Sequence, residues 1–514
     1  MTVAGQIKRG AYFDSVTLMR VGRELGGCPG VADAAVIMGT KANKAILDSS
    51  GLLISRFEAA GDADLLIAVK ANTARAAEAA VAAAEGLLKG AVREAVSGGI
   101  EANPGSLDAA IKRLPGANLA LISLAGRYAG AVAMRALERG LHVMLFSDNV
   151  PLDQEIRLKK FAREGGLLVM GPDCGTAIIN GVPLGFANVV RRGDIGVVGA
   201  AGTGMQEVCC LISNAGSGIS QAIGTGGRDV KQEVGGIMFL AALRALARDT
   251  RTRVILLVSK PPHPTVLDRI RQAAKKIRKP VVALFVGADP EGGEPANLEE
   301  AALQAMALAQ GRKPQGVAEL LAAREAGWER LAAREAARRQ PGQKYVRGLF
   351  SGGTFCAEAQ VLLGDMLAGV YSNVPIKGAR QLRNALVSRR HTLIDLGEDE
   401  FTVGRLHPMM DYSLRNSRIL KESADTETAV ILLDLVLGFG SNPDPAAELS
   451  GVIRKAARRN AVVCSIIGTE QDPQNRVQVE ATLRRADSLR IASSKAPDHL
   501  ESSPLSAVVI VYWY

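Results

Sequence analysis

The feature that most constrains this chain is an alternation that runs along most of its length. Short apolar runs of strand length, Leu65–Val69, Leu119–Leu124, Val143–Ser147, Leu167–Met170, Ile195–Val198, Val254–Ser259 and Val281–Val286, are separated by stretches of helical period such as Ala129–Arg139 and Asp153–Glu164. Strands that are apolar almost without interruption are buried on both faces, as in parallel sheets covered by helices on each side. The pattern predicts an α/β protein with parallel sheets. At 514 residues the chain has room for three or four domains, each with its own core.

Boundaries are visible in the same pattern. Residues 1–95 form a small α/β unit ending in the alanine-rich helix around Thr73–Leu88, and a loop with Pro104 and Gly105 leads to a second unit over 96–190. A third spans 191–312. Residues 313–344 read as a charged, exposed helical linker closed by Pro341-Gly342, and a fourth unit covers 345–514. Beyond about residue 490 a polar stretch, Ser493–Ser503, leads to an apolar end, Ala507–Tyr514, that reads either as a closing strand or as an unrelated tail.

Charge and cysteine usage remove several function classes. Lys and Arg number 62 against 52 Asp and Glu, and the net +10 is scattered over helix tails such as Lys275–Lys279 and Arg454–Arg459. Nucleic-acid binding favours a concentrated basic face with aromatic stacking platforms, and aromatic residues make up 4% of the chain. No apolar run approaches the ~20 residues of a membrane span, and MTVAGQIKRG lacks the apolar core of a signal peptide. The six cysteines contain no CxxC pair and have no histidine at ligand spacing, which argues against a structural metal and a disulfide framework. The expectation is a cytoplasmic protein that handles a small molecule, with no nucleic-acid, membrane or metal partner.

Function enters at two strand–glycine–helix junctions. The third unit opens with a strand running into Gly199-Ala200-Ala201-Gly202-Thr203-Gly204, and the fourth with Val346–Phe350 running into Ser351-Gly352-Gly353-Thr354. The first N–H groups of a helix have no intrahelical partners, and with the positive end of the helix dipole they form an anion site. Glycine lets a phosphate approach the backbone closely, and Thr203 and Thr354 add a hydroxyl. Tight packing at a strand–helix junction is the alternative reading of each loop. Neither matches the phosphate loop ending in Gly-Lys-Ser/Thr or the G-x-G-x-x-G fingerprint.

Other candidates sit in loops after strands. Gly226, Gly227 and Arg228 read as an anion clamp or as a plain turn. Asp395 and Gly397 lie at the C-terminal end of strand Leu393–Asp395, where open α/β sheets place their ligands. Lys260 and His263 follow one strand, and His407 sits in Arg405-Leu406-His407-Pro408; either histidine suits acid–base work or simply fills a turn. Cys174, in Gly171-Pro172-Asp173-Cys174-Gly175, is a loop thiol that reads as packed or nucleophilic, and His142 reads as structural.

Several of these blocks resemble known proteins. Gly171–Gly175, the loop from Gly193 through Gly204, the pair Gly226-Gly227 and strands 254–259 and 281–286 resemble the succinyl-CoA synthetase α subunit in order and spacing. Ser351–Thr354, Ile394–Gly397 and Asp434–Gly440 are similar to the carboxy-terminal domain of its β subunit. Met38–Lys44, Leu145–Val150, Val258–Pro262, Thr402–Met409 and Gly468–Pro473 identify the chain as a member of the FdrA family of acyl-CoA synthetase-like proteins, over residues 7 to about 490.

The resemblance implies a Rossmann-like CoA-binding-type domain over 96–190 and two flavodoxin-like ligase-type domains over 191–312 and 345–514. It implies that the glycine-loop helices point their N-termini at one pocket. In succinyl-CoA synthetases a loop histidine carries phosphate, whereas the matching stretch here is Gly287-Ala288-Asp289-Pro290-Glu291-Gly292-Gly293-Glu294, without histidine. Residues 96–118 supply no glycine loop for CoA phosphates, and there is no ATP-grasp domain. FdrA-type proteins are linked to purine and allantoin breakdown, where with companion proteins they form an oxamate carbamoyltransferase. The resemblance therefore implies transfer of carbamoyl from oxalurate, a small carboxylate, to phosphate, giving oxamate and carbamoyl phosphate. Alternatives are acid–thiol ligation with CoA, and a non-catalytic scaffold that binds CoA or an anion. The expected anion-binding residues are Gly202, Thr203, Gly204, Gly226, Gly227, Ser351, Gly352, Gly353, Thr354, Asp395 and Gly397. Arg228, Lys260 and His407 are the expected catalytic or clamping residues, and companion subunits or a homo-oligomer are the expected assembly.

Overall fold

The computed structural model describes the chain except residues 12, 14, 63, 98–103, 105, 125, 318, 323–331, 334–335, 338, 365, 403–404, 486–489 and 493–514. Much of the expected linker helix over 313–344, Gly105, Gly404 of the His407 loop and the apolar end Ala507–Tyr514 lie outside the described residues. The chain divides into two compact units. One holds residues 1–118 with 123–128 and 399–406, and the other holds the remainder.

The first unit is built from β1 (Thr2–Lys8), α1 (Ser15–Gly26), β2 (Val31–Met38), α2 (Lys41–Ser49), β3 (Leu65–Ala71), α3 (Ala74–Ser97) and α4 (Leu107–Arg113). Its sheet has the order β1-β3-β2, and both neighbours run antiparallel to the central strand. Successive residues of β3 face opposite sides of the sheet. Leu65, Ile67, Val69 and Ala71 cluster with Leu18, Val21 and Leu25 of α1 and Ala77, Ala84 and Leu88 of α3. Leu66 and Ala68 cluster with Leu47, Leu52 and Phe57. The apolar run that reads like a parallel strand reports burial on both faces, and burial does not fix direction.

The second unit contains three sheets. A small parallel sheet, β4-β5-β6, is formed by β4 (Leu119–Ile122), β5 (His142–Leu145) and β6 (Val169–Met170), connected by α5 (Gly126–Glu138) and α6 (Leu152–Glu164). The hairpin β7 (Thr176–Ile179) and β8 (Val182–Gly185) pairs with β10 of the next sheet, so the sequence boundary at 190 falls after these strands have already joined it.

That next sheet has six strands in the order β12-β11-β9-β10-β7-β8. Its parallel part comprises β9 (Arg192–Ala200), β10 (Ile219–Gly224), β11 (Val254–Ser259) and β12 (Val281–Phe285), with α7 (Gly202–Asn214), α8 (Ile237–Arg248), α9 (Pro264–Lys275) and α10 (Leu298–Ala309). The third sheet is parallel throughout, in the order β15-β14-β16-β13-β17-β18-β19. It contains β13 (Tyr345–Phe350), α11 (Gly353–Gly364), β14 (Val370–Ser372), β15 (Arg380–Gln381), β16 (His391–Asp395), α12 (Ser413–Ala424), β17 (Thr428–Val436), α13 (Pro445–Ala456), β18 (Ala461–Ile467), α14 (Arg476–Arg485) and β19 (Arg490–Ala492).

In both large sheets the strand that opens the domain, β9 or β13, has neighbours on either side and runs directly into a glycine turn and a helix. The crevice at such a strand's C-terminal end is where doubly wound sheets bind ligands. One continuous core joins the two, including Ile195, Met205, Val258, Phe350, Phe355, Leu393 and Val430. Polar groups fix the junction as well. Asp472 accepts from the backbone N–H of Val189 (2.7 Å), from Asn188 Nδ2 (2.9 Å) and from the N–H of Thr469 (2.7 Å). Gly438, at φ +103°, packs directly on the Ala187 carbonyl, where a Cβ would clash at 2.6 Å.

Candidate functional site

The two glycine junctions meet. The place where Gly352 would carry a Cβ is filled by the side chain of Thr203, and a Cβ on Gly204 would stand 2.6 Å from the Thr354 methyl. Each helix thus buries one glycine and one threonine against the other's first turn, so both threonines serve contact between the helices. Gly202, by contrast, is exposed and Gly353 half-buried. Ala201, the N-cap of α7, has no side chain able to cap. Ser351 is held from below: its N–H donates to Asp434 Oδ1 (2.7 Å) and its hydroxyl to Asp434 Oδ2 (2.8 Å). Arg415, itself buried, donates from Nη1 to the Asp434 carbonyl (2.6 Å) and carboxylate (3.2 Å).

Lys260, Asp395 and Glu398 gather at the start of α11. Asp395, 2% exposed, ends β16, and Lys260 follows β11 at the same end of the neighbouring sheet. The ammonium lies 3.8 Å from Asp395 Oδ2 and 3.8 Å from Glu398 Oε1. A Cβ on Gly353 would fall onto Lys260 Nζ and Asp395 Oδ2, so glycine there is what lets these groups reach the helix end. Asn373 holds the strand end by donating to the Asp395 carbonyl (2.9 Å) and accepting from its N–H (3.0 Å). Burial raises the Asp395 carboxyl well above the usual carboxylate range, Lys260 opposes this, and Glu398 adds to it.

His407 adjoins this group. Its Nε2 lies 3.1 Å from where Gly397 would carry a Cβ, and Gly397 donates its N–H to Asp395 Oδ1 (2.9 Å). Burial, and then the charge of Arg415, push the imidazole down to about 4. The ring is neutral near pH 7. Because Nδ1 accepts from the Met409 N–H (3.2 Å), the assigned tautomer carries its proton on Nε2. His407 is therefore suited to donating a hydrogen bond rather than to supplying a cation.

Arg228 belongs to a different constellation. It pairs through Nε with Glu155 Oε2 (2.9 Å) and donates from Nη2 to the Val150 carbonyl (2.7 Å). Beneath it Lys159, fully buried, bonds Glu155 (2.8 Å), Asp229 (2.9 Å) and the Thr225 carbonyl (3.1 Å). Asp229 accepts from the N–H groups of Met238 (3.2 Å) and Phe239 (2.8 Å) at the start of α8. Gly226, at φ +80°, packs on the Pro172 carbonyl, while a Cβ on Gly227 would meet open space. The carboxylate of Asp229 thus occupies that helix end, and the 226–229 loop shapes a turn. Cys174 is buried with its thiol pushed up to about 12, an inert state. His142 accepts from the Leu168 N–H (3.0 Å), and His263 Nδ1 lies 2.9 Å from Thr265 Oγ1 as it caps α9.

Two groups escaped sequence reading. Glu398 stands next to Asp395 in a stretch that looks like a solvated turn. Glu207 and Glu358 occupy equivalent places in α7 and α11, and both are buried. Burial pushes Glu207 up to about 8, Arg476 opposing, and Glu358 up to about 7, opposed by the Leu298 N–H. The repetition of Gly-Thr and, a turn later, Glu in both helices is the one sequence signal that pointed to them. A folded-state value of about 8 against 4.5 means the folded chain keeps this proton over a window in which the unfolded chain loses it. Stability from this group is full below about pH 4.5 and is lost as pH rises towards 8. Glu207→Gln should then gain on the parent with rising pH, by on the order of 2–4 kcal/mol near pH 8, as read by urea unfolding at two pH values.

A chain whose two sheets each end a central strand in a glycine turn, with the two helix starts packed together, is of the acyl-CoA synthetase-like class. Comparison with known proteins agrees on the class: the CoA-ligase family matches residues 349–503, and the CoA binding domain family matches residues 190–287 rather than the 96–190 span in which the resemblance placed a CoA-binding-type domain. The chain belongs to the FdrA-type family of acyl-CoA synthetase-like proteins. It is 41% identical over 507 residues to the uncharacterized protein YahF of Escherichia coli (strain K12), covering 96% of this chain and 97% of that one. Succinate–CoA ligase [ADP-forming] subunit alpha 1 of Archaeoglobus fulgidus is 29% identical over 175 residues, 33% of this chain and 58% of that one. Among solved structures, ATP citrate lyase from Methanothrix soehngenii in complex with citrate and coenzyme A matches with a TM-score of 0.32 at 22% identity, over 42% of this chain and 39% of that one.

Residues 1–104 match the family described as AllF, heavy metal-associated domain. Thiolates and imidazoles are what hold soft metals. That span contains one cysteine, Cys28, and no histidine, and Cys28 Sγ lies 3.7 Å from the Glu24 carbonyl oxygen, which it faces as a donor. Among the described residues no group of three or more His, Cys, Asp or Glu is placed to hold a metal ion. The residues do not fit a metal site. Among the same residues no helix is long and apolar enough to cross a membrane.

Proposed function

We propose that this chain is the FdrA-type subunit of a carbamoyltransferase that moves the carbamoyl group of oxalurate to phosphate, in purine and allantoin nitrogen catabolism. The observation that carries this reading is the reciprocal contact of the α7 and α11 starts, with Lys260, Asp395 and Glu398 at the α11 end. Two helix ends side by side suit two anions, phosphate and a small carboxylate, held for reaction by fixed backbone donors. Lys260 neutralises the incoming phosphate, and the neutral His407 offers a donor for a carbonyl oxygen or an oxyanion. The match to an AllF domain supports the pathway, and companion subunits complete the enzyme in this reading.

The test follows carbamoyl phosphate made from oxalurate and phosphate by the full chain, alone and with the companion proteins. Lys260→Ala and Gly353→Ala are each expected to lower the rate by about 100-fold. The nearest atoms to a methyl at Gly353 are the end of the Lys260 side chain and one Asp395 carboxylate oxygen, so this variant displaces the ammonium. The second reading, acid–thiol ligation, is favoured by the CoA-ligase and CoA-binding family matches. ADP release that requires CoA and a carboxylate, without carbamoyl phosphate in any combination, would establish it instead.

A further inference from the structure

The chain from Leu367 to Ile394 contains no aspartate or glutamate and five cationic side chains, Lys377, Arg380, Arg383, Arg389 and Arg390, all of them exposed. Three of these gather at one aromatic ring. The guanidiniums of Arg389 and Arg380 lie 5.1 and 5.9 Å from the centre of the Tyr371 ring, and Arg390 Nη1 and the same ring both border Gly369. A guanidinium stacked on a ring is held in place while the N–H groups at its edge stay available. Among the described residues Arg383, Arg389 and Arg390 form no ion pair. Glu422 and Asp425, at the end of α12, are taken by Arg347 and Arg418.

Beside these arginines the chain holds two adjacent aliphatic side chains out in solvent, Leu386 at 50% and Val387 at 55% exposure. The backbone beneath them is tied down. Buried Arg418 donates to the Ala385 carbonyl (2.9 Å) and to Ser388 Oγ (2.9 Å), and Lys421 donates to the Leu386 carbonyl (2.8 Å). Ser388 Oγ in turn donates to Glu422 Oε1 (2.7 Å), and the Leu386 N–H donates to Asn384 Oδ1 (2.8 Å). An apolar tip that is already fixed loses little conformational entropy when something covers it. Arg389 and Arg390 precede β16 and Asp395 ends it, so the patch and the candidate site lie at opposite ends of that strand, about 13 Å apart along it.

We propose that this patch is the docking surface for a different protein chain, one whose contact face carries an apolar pocket rimmed by carboxylates. The inference rests on the reading of this chain as one subunit of a larger enzyme. Leu386 and Val387 fill the pocket, and Arg389, Arg390 and Arg383 meet the carboxylates around it. Charge decides against a second copy of this chain: a two-fold contact through the patch would set each arginine cluster against its own image. A nucleic acid would supply phosphates for the arginines and no pocket for the two aliphatic side chains.

Sedimentation velocity and biolayer interferometry test this with the full chain and, as probes, each companion protein of the proposed carbamoyltransferase. A complex is expected whose affinity falls as salt is raised. Leu386→Asp should weaken it by about 30-fold or more and Arg389→Glu by about tenfold or more, with urea midpoints unchanged because both side chains are exposed. Lys455→Glu, an exposed charge reversal on α13, should leave the affinity within about twofold. Complexes that Leu386→Asp and Arg389→Glu leave intact overturn the inference, and carbamoyl phosphate formed by the same mixtures keeps the proposed reaction standing. If no companion binds, the inference falls, and the reaction falls with it only where no carbamoyl phosphate forms either. Binding of duplex DNA or phosphatidylserine vesicles through these two residues in place of a companion, or a self-dimer that Leu386→Asp dissolves, also overturns it.

Discussion

Lys159→Met is expected to destabilise the second unit by about 3–5 kcal/mol, with a matching drop in the urea midpoint. Lys159, Arg228, Glu155 and Asp229 form a neutral set of two cations and two carboxylates, and Lys159, Glu155 and Asp229 have no solvent-exposed side-chain surface. Removing the central ammonium leaves one uncompensated negative charge where water cannot solvate it. Methionine matches the volume of the lysine stem, so the effect reads charge and hydrogen bonding rather than a cavity. Adding Glu155→Gln to Lys159→Met should recover part of the loss, because the remaining charges balance again. Arg157→Met two residues earlier in the same helix, whose pair with Asp153 is exposed on both sides, should cost less than about 0.5 kcal/mol. Equal effects at the two lysine- and arginine-bearing positions would contradict this account.

Gly352→Ala carries the second large effect, on activity. The new methyl would occupy the space now filled by the Thr203 side chain, so the two helix starts must separate or one must shift. Overpacking of this kind costs about 1–3 kcal/mol of stability. A displacement of about 1 Å between two reacting groups costs on the order of 100-fold in rate. If the proposed carbamoyl transfer takes place here, carbamoyl phosphate formation should fall by that factor while the chain still folds. Thr203→Ala in the Gly352→Ala background makes room for the methyl and should restore most of the rate, a coupling that only residues in contact can show. Gly202→Ala is the control for stability: its methyl would have Thr176 Oγ1 at 3.6 Å as its nearest neighbour, so the fold should be unchanged. A Gly352→Ala defect that Thr203→Ala does not relieve would mean that the helix contact is not what positions the site.

The glycine loops show why some candidate residues were legible and others were not. Strand, glycine turn and helix follow one another in sequence, so the open helix starts at 202–204 and 351–354 could be read locally. The division of labour among them could not. Gly204 and Gly352 are buried against the opposite threonines, and only Gly202 and Gly353 stand at the open side. Lys260 and Asp395 were legible as residues at strand ends, yet their approach across two sheets depends on how β11 and β16 are placed. Glu398 was hidden because a carboxylate three residues past a strand looks the same whether it is solvated or paired. Arg228 looked like a clamp, and its guanidinium instead holds Glu155 and the Val150 carbonyl.

By itself the sequence determined the α/β class, the approximate positions of the strands and the two helix starts with their N–H donors. Those are consequences of local pattern: apolar runs, helical period, and glycine where a backbone must turn and stay open. Tertiary structure alone decided the antiparallel direction of the first sheet, the joining of 176–185 to the six-stranded sheet, the interlocking of Gly352 with Thr203 and Gly204 with Thr354, and the burial that raises the carboxyls of Asp395 and Glu207. Strand direction, close packing and desolvation are set by residues far apart in the chain, and no window of sequence contains both partners.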